Sequence, residues 1–273
     1  MMMRVFKFVW VVGVVLAIAA GAHATPFPPK VANDTYGIAQ GGVANGIPTA
    51  QDNNDGIPDI FDAINRVQGS ALLRNKDADP LFVEPDYVWE QLDGKIVLIG
   101  LTAGNQNTVG VYTDLGVGAV QTALLGPYSG FGFSAAGTAA DPYPAATIGL
   151  ATNTLFGWYL NTASGGSSTD YYSEPGLNPN GYDHMMTFDL PQANGTSIWV
   201  DYGQGETQLT LNDPYLIAWE DLAWDGQCLG DDDYDDMMYL VDKVVPIPEP
   251  LTILGVFLGV SGLGAYMRRR KRE

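Results

Sequence analysis

The residues of this chain best equipped for chemistry are carboxylates set close together with no base among them. Asp231, Asp232, Asp233, Asp235 and Asp236 crowd around Tyr234, a short way after Glu220 and Asp221. A second acidic set, Asn53, Asp55, Asp59 and Asp62, occupies residues 51–62. Between residues 96 and 242 the chain has no Lys or Arg. Carboxylates brought together without a base raise one another's pKa unless a cation joins them. Outside a cell, calcium is the available divalent ion that prefers oxygen ligands. The expectation is calcium held by Asp231, Asp233 and Asp236 with Glu220 or Asp221, since alternate residues of an extended segment point the same way. The competing reading of these residues is an acidic turn held by carboxylate-to-backbone hydrogen bonds.

The earlier set, Gln51-Asp52-Asn53-Asn54-Asp55-Gly56-Ile57-Pro58-Asp59-Ile60-Phe61-Asp62, resembles EF-hand-like calcium loops and the thrombospondin type-3 repeat, which place oxygen ligands at alternate positions around a glycine. The resemblance puts Asn53, Asp55, Asp59 and Asp62 at the third, fifth, ninth and twelfth positions, with the Ile57 carbonyl at the seventh. Gln51 departs from the usual Asp at the first position, and Asp62 is shorter than the bidentate Glu common at the last. Both departures weaken a site. The competing reading is a solvated Asx-turn that caps the helix behind it.

Other chemistries find less support. A pair of carboxylates about 5 to 10 Å apart serves glycoside hydrolysis, but nothing in the spacing singles out two of the many present. His184 reads as a packed or hydrogen-bonding residue at a strand edge. Cys228 is the only cysteine, so no internal disulfide forms and stability rests on a core. No Gly-rich phosphate loop and no zinc-spaced His/Cys set is present. Trp158, Tyr159, Trp199, Tyr202, Trp219 and Trp224 offer flat faces for sugars, or equally the bulk of a core.

These residues must be carried by strands. Short apolar runs separated by Gly, Asn, Asp and Pro predict strands at 95–101, 108–112, 155–160, 185–190, 197–202, 215–219 and 237–241. The fold class expected is all-β, β-sandwich-like, with loops at 129–140 and 164–168. Ile60, Phe61, Ile64 and Val67 share one face of a short helix starting after Pro58, so an acidic loop-helix precedes the strands.

The ends differ from the middle. Seven of the 13 bases (Arg4, Lys7, Arg268, Arg269, Arg270, Lys271, Arg272) lie at the termini, which leaves 6 bases against 30 acids between residues 8 and 267. Nucleic acid and anionic membrane surfaces are excluded as partners by that sign of charge. Arg4 and Lys7 precede an apolar run over 8–20, and Ala22 and Ala24 supply the small-x-small pattern a signal peptidase cleaves after. An N-terminal membrane anchor is the alternative, though the run is shorter than the roughly 20 residues a span prefers. At the other end an uncharged stretch over 251–267 is followed by the basic cluster 268–272, which predicts a transmembrane helix with its basic end in the cytoplasm and the acidic body outside; on these residues alone an ordinary permanent single-span anchor is the alternative to a sorting segment.

Pro248-Glu249-Pro250, the Gly-rich apolar stretch and the terminal Arg cluster together resemble the PEP-CTERM sorting segment of exported bacterial proteins. The resemblance implies that an exosortase releases the chain near that motif, so that inner-membrane association is transient and the periplasmic body passes to the cell surface or the extracellular polysaccharide matrix. Trp219-Glu220-Asp221-Leu222, then Gly230-Asp231-Asp232-Asp233-Tyr234-Asp235-Asp236, resembles the F/W-E-D-L…G-D-x-D-Y-N-D motif of an uncharacterised exported bacterial domain family that often carries this tail. Segments 105–112, 156–160 and 183–188 share in that resemblance, and Asp235 stands where that family usually has Asn.

The organisation expected is therefore a signal peptide (1–24), an acidic loop-helix segment (25–90), a β-sandwich-like domain (91–245) and a sorting segment with a transmembrane helix (246–273). The function expected is that of a non-catalytic, calcium-stabilised exported surface or matrix protein, with signal peptidase, exosortase and exopolysaccharide as partners. A carbohydrate-binding module is the alternative, and a polysaccharide hydrolase the third reading.

Overall fold

Four apolar runs of this chain are too continuous for strands with one wet face: Ile96 to Leu101, Met185 to Phe188, Leu216 to Trp219, and Met237 to Val241 are buried almost without interruption. Runs of that kind belong to strands covered on both faces. A computed structural model describes residues 43–44, 47–48, 60–68, 81, 83, 86–179, 181–222 and 234–247, and places these four runs side by side in its central sheet.

Among the described residues the first elements are a two-residue pair, β1 (Val43–Ala44) and β2 (Ile47–Pro48), and helix α1 (Ile60–Gln68). Twelve strands follow: β3 (Trp89–Leu101), β4 (Gln106–Tyr112), β5 (Gln121–Tyr128), β6 (Gly132–Phe133), β7 (Tyr143–Thr147), β8 (Leu155–Ser164), β9 (Ser167–Tyr172), β10 (Met185–Asp189), β11 (Ser197–Asp201), β12 (Glu206–Thr210), β13 (Tyr215–Trp219) and β14 (Met237–Pro246). The all-β expectation holds. In place of two separate sheets, however, the twelve strands form one hydrogen-bonded sheet. Its main path runs β10-β13-β14-β3-β7-β11-β12, and β5-β4-β8-β9 joins it where Trp89 and Glu90 of β3 pair with Phe156 and Leu155 of β8. All pairings are antiparallel except β7 with β11.

Because strand side chains alternate, each central strand feeds two cores. Leu216 and Ala218 of β13, Met238 and Leu240 of β14, Val97 and Ile99 of β3, and Met186 and Phe188 of β10 pack with Ile60, Ala63, Ile64 and Val67 of α1. Ile217 and Trp219, Tyr239 and Val241, Ile96 and Leu98, and Met185 pack instead with Val109, Val111, Phe156, Trp158 and Leu160 of β4 and β8. The second core is aromatic: Trp158 meets Trp89 and Phe156 edge-on, with centroids at 6.1 and 5.1 Å, and Tyr239 at 5.6 Å. Fully burying one such large apolar side chain is worth about 1.5 to 3 kcal/mol, so the two cores stabilise the sheet without a disulfide.

The helix expected after Pro58 is α1, and Ile60, Ile64 and Val67 do face the core, with Ala63 beside them. Arg66 fastens it from the outer side: Nε donates to the Tyr143 hydroxyl at 2.6 Å and a terminal nitrogen to the Ala135 carbonyl at 2.7 Å.

Two expected loops hold in part, each with some strand inside its bounds. Residues 164–168 are the end of β8, the start of β9 and a two-residue turn, Gly165-Gly166, both with positive φ as the tightest hairpins require. Residues 129–140 contain β6 and a Thr138–Asp141 bridge. Seven strands are absent from the expectation: the two-residue β1, β2 and β6, and β5, β7, β9 and β12; of the last four, β5, β9 and β12 pair on one side only and have at most one buried residue each, so they lack an apolar run.

Among the described residues no helix is long and apolar enough to cross a membrane. The expected span over 251–267, the sorting motif Pro248, Glu249 and Pro250, and the cleavage residues Ala22 and Ala24 lie outside the described residues.

Candidate metal centre

The ladder between β13 and β14 ends at the pair Trp219 and Met237. The residues just beyond that pair, Glu220 and Asp221 on one side and Asp236 on the other, are therefore brought together by strand register and not by any local turn. One ligand atom from each carboxylate lies within 4.8 Å of the others. All three side chains are buried, at 0, 3 and 8 % exposure.

The backbone is organised around these carboxylates. The Asp221 N–H donates to Asp236 Oδ2 at 2.7 Å, and the Leu222 N–H donates to Glu220 Oε1 at 3.0 Å. Thr102, just past β3, donates its hydroxyl to Asp235 Oδ1, and its N–H donates to the Asp236 carbonyl at 3.4 Å. Tyr234 adopts a positive φ of 54° and sends its hydroxyl to the Asp183 carbonyl at 2.9 Å.

Two amides from the layer across the core complete the near surroundings. Asn105 Nδ2 donates to Asp221 Oδ1 at 2.9 Å, and Asn107 Nδ2 donates to Asp221 Oδ2 at 2.7 Å. Sequence reading includes these two residues in the resembling segment 105–112 but assigns them no place in the centre, since they are separated from Asp221 by 116 and 114 positions. Besides that resemblance, their local signal is the i, i+2 spacing, which puts both on the same face of an extended chain.

On the remaining side lies His184, wholly buried and stacked on Tyr171 with ring centroids 3.8 Å apart. Its Nδ1 is 3.0 Å from the Glu220 carbonyl, while the Glu220 N–H donates to the His184 carbonyl at 3.0 Å. A carbonyl can only accept, so Nδ1 carries the proton. Burial lowers the His184 pKa to about 4, so the ring is neutral at pH 7 and adds no positive charge to the centre. The Tyr171 phenol is pushed up to about 12 by burial first and then by the charges of Asp221, Glu220 and Asp236. It will stay protonated beside them.

Closely set buried carboxylates repel one another unless they take up protons or a cation. The donor atoms here are all oxygen, the set that hard cations such as calcium and magnesium select. Of the expected ligands, Glu220, Asp221 and Asp236 thus come together. Asp231 and Asp233 lie outside the described residues, as do Asn53, Asp55 and Asp59 of the earlier loop. Asp62 is in the first turn of α1, where an acid complements the helix dipole.

The aromatic residues divide between core and surface. Trp158 and Trp219 are fully buried and Tyr159 is nearly so, which makes them core and removes them as sugar platforms. Trp199 and Tyr202 are half-buried, and Trp224 lies outside the described residues. No protein-family model matches the chain, and no curated protein matches it.

Proposed function

We propose that this chain is an exported, non-catalytic protein of the bacterial surface or extracellular matrix, whose β-sandwich-like body is stabilised by calcium. The observation that carries the metal part is the meeting of Glu220, Asp221 and Asp236 within 4.8 Å at the end of the β13–β14 ladder. Asp231 and Asp233 complete the ligand set in this reading. Export rests on the leader and the PEP-CTERM-like tail, with signal peptidase and an exosortase as the processing partners and exopolysaccharide as the surrounding material. The β-sandwich-like reading of the body is supported by the apolar core between β4–β8 and the central sheet.

The non-catalytic reading is supported by burial. Each of the three carboxylates is buried, at 0, 3 and 8 % exposure, which leaves them little open face toward a polymeric substrate. Calcium is favoured over magnesium because it accepts irregular sets of six to eight oxygens, whereas magnesium demands near-octahedral geometry.

The test is thermal melting of the full chain, purified in detergent, in millimolar calcium, in millimolar magnesium and in chelator. Binding to the folded state alone raises the midpoint by mass action. The expected result is a rise specific to calcium, and an unchanged midpoint in all three conditions would overturn the reading.

A further inference from the structure

The centre contains an amide whose oxygen has no use in the ion-free arrangement. Asn107, near the start of β4, is 0 % exposed, and its Nδ2 points into the acidic cluster at Asp221 Oδ2. Its Oδ1 is buried and has no hydrogen-bond partner among the described residues. Leaving a buried carbonyl unpaired destabilises a fold, and a β-strand offers many residues that avoid it.

A cation changes the preference of such a group. Without an ion, the amide hydrogens of Asn105 and Asn107 cover the two oxygens of Asp221. With an ion among the carboxylates, hydrogens facing it are repelled and a carbonyl oxygen is attracted. The terminal torsion of Asn is two-fold and soft, so one half-turn exchanges Oδ1 for Nδ2 with little movement of the chain. The turned Nδ2 then needs an acceptor. Thr162 on β8 is the register partner of Asn107 and so presents its side chain on the same face, about 5 Å away between Cβ atoms. Its Oγ1 is likewise buried without a partner among the described residues and makes no hydrogen bond to Oδ1 in the ion-free arrangement, so a rotation of Thr162 about χ1 must accompany the turn of the amide.

We infer that Asn107 is a neutral oxygen ligand of the calcium centre, and that its amide turns over when the ion binds, passing its N–H group from Asp221 to Thr162. The inference rests on the calcium reading proposed above and extends it to a residue from the opposite layer. The ion then joins β4 to the ends of β13 and β14, so that its ligands come from both sides of the aromatic core.

The experiment is calcium titration calorimetry on the full chain in detergent and on three variants, Asp236→Asn, Asn107→Ala and Asn107→Asp, with near-UV circular dichroism to check folding. Asn107→Ala is expected to weaken calcium binding at least tenfold. Asn107→Asp keeps an oxygen and loses the N–H group, so it is expected to bind calcium at least as tightly as the parent while melting lower in chelator. If Asn107→Ala does not fold, Asn107→Asp decides alone, since a purely structural amide predicts weaker binding in that variant too. Parent-like affinity in Asn107→Ala, or weakened affinity in Asn107→Asp, overturns the inference while leaving the calcium reading in place. Absence of calcium binding by the parent chain overturns both.

Discussion

The indole of Trp219 donates from Nε1 to the hydroxyl of Tyr239 at 2.8 Å, with both residues wholly buried between β13–β14 and the β4–β8 layer. Trp219 is also the last residue of β13, immediately before Glu220. The bond therefore anchors the chain where it leaves the sheet for the acidic centre. Tyr239→Phe removes the acceptor and leaves a buried N–H unsatisfied, with an expected loss of about 1 to 3 kcal/mol in urea unfolding. A loss under about 0.5 kcal/mol would show that the N–H finds another partner.

The same neighbourhood supplies an optical reporter. Trp219 adjoins the ligands in sequence and Tyr171 feels their charges, so a luminescent lanthanide taking calcium's place receives energy from rings excited near 280 nm. Terbium added to the full chain is expected to emit, calcium to quench that emission by displacement, and Asp236→Asn to lower it severalfold. Emission of parental strength in Asp236→Asn would place the bound lanthanide elsewhere.

Asp242 yields a pH prediction with a definite sign. Burial raises its carboxyl above the ordinary 3.8, outweighing the Asn212 N–H that donates to Oδ1 and the charges of Lys243 and Lys95. The folded chain thus keeps this proton to higher pH than the unfolded chain. Its contribution to stability falls as the pH climbs from 3.8 through the raised folded value, and is level beyond it. Asp242→Asn retains an acceptor for Asn212 and does not titrate. Unfolding free energies measured across that window are expected to decline less steeply in Asp242→Asn than in the parent, and equal slopes would contradict the assignment.

Helix α1 covers the other face of the sheet through Ile60, Ala63, Ile64 and Val67. Ile64 is fully buried, and truncation of such a side chain leaves a cavity. Ile64→Ala is expected to destabilise the fold by about 2 to 5 kcal/mol, read by urea unfolding in chelator so that metal binding does not mask the loss. A cost below about 1 kcal/mol would mean the helix contributes little to holding the sheet.

The strands readable from sequence are those that supply both cores. β13 was expected at its observed bounds, and β10 and β14 began where expected, because every residue from Met185 to Phe188 and from Met237 to Val241 is buried. β3 begins six positions before the expected Lys95: Trp89 and Gln91 are buried, but exposed Leu92 and Asp93 break the apolar run between them and the rest. The edge strand β12, with the sequence ETQLT, has almost nothing to bury and so leaves no hydrophobic mark. At the centre, the acids announce themselves by crowding. Asn105 and Asn107 do not, since their role depends on the layer opposite and not on any neighbour in sequence.

Strand β14 ends beside the beginning of β3: Pro246 is paired with Trp89, and the Ile247 N–H donates to the Val88 carbonyl at 2.7 Å. Under mechanical load this is a zipper. When the chain before Trp89 and the chain beyond Ile247 are drawn apart, the load enters at one end of the ladder and across the strands, so its hydrogen bonds yield one after another instead of sharing the force. The first to part are the pairs of Pro246, Val245 and Val244 with Trp89, Glu90 and Gln91. Peeling then reaches the register shift between Asp242 and Val244, and β13 joins the resistance only from Val241 inward. Pulled apart at those two ends, the body would give up a short length of strand at low force before the cores on either side of the sheet begin to hold.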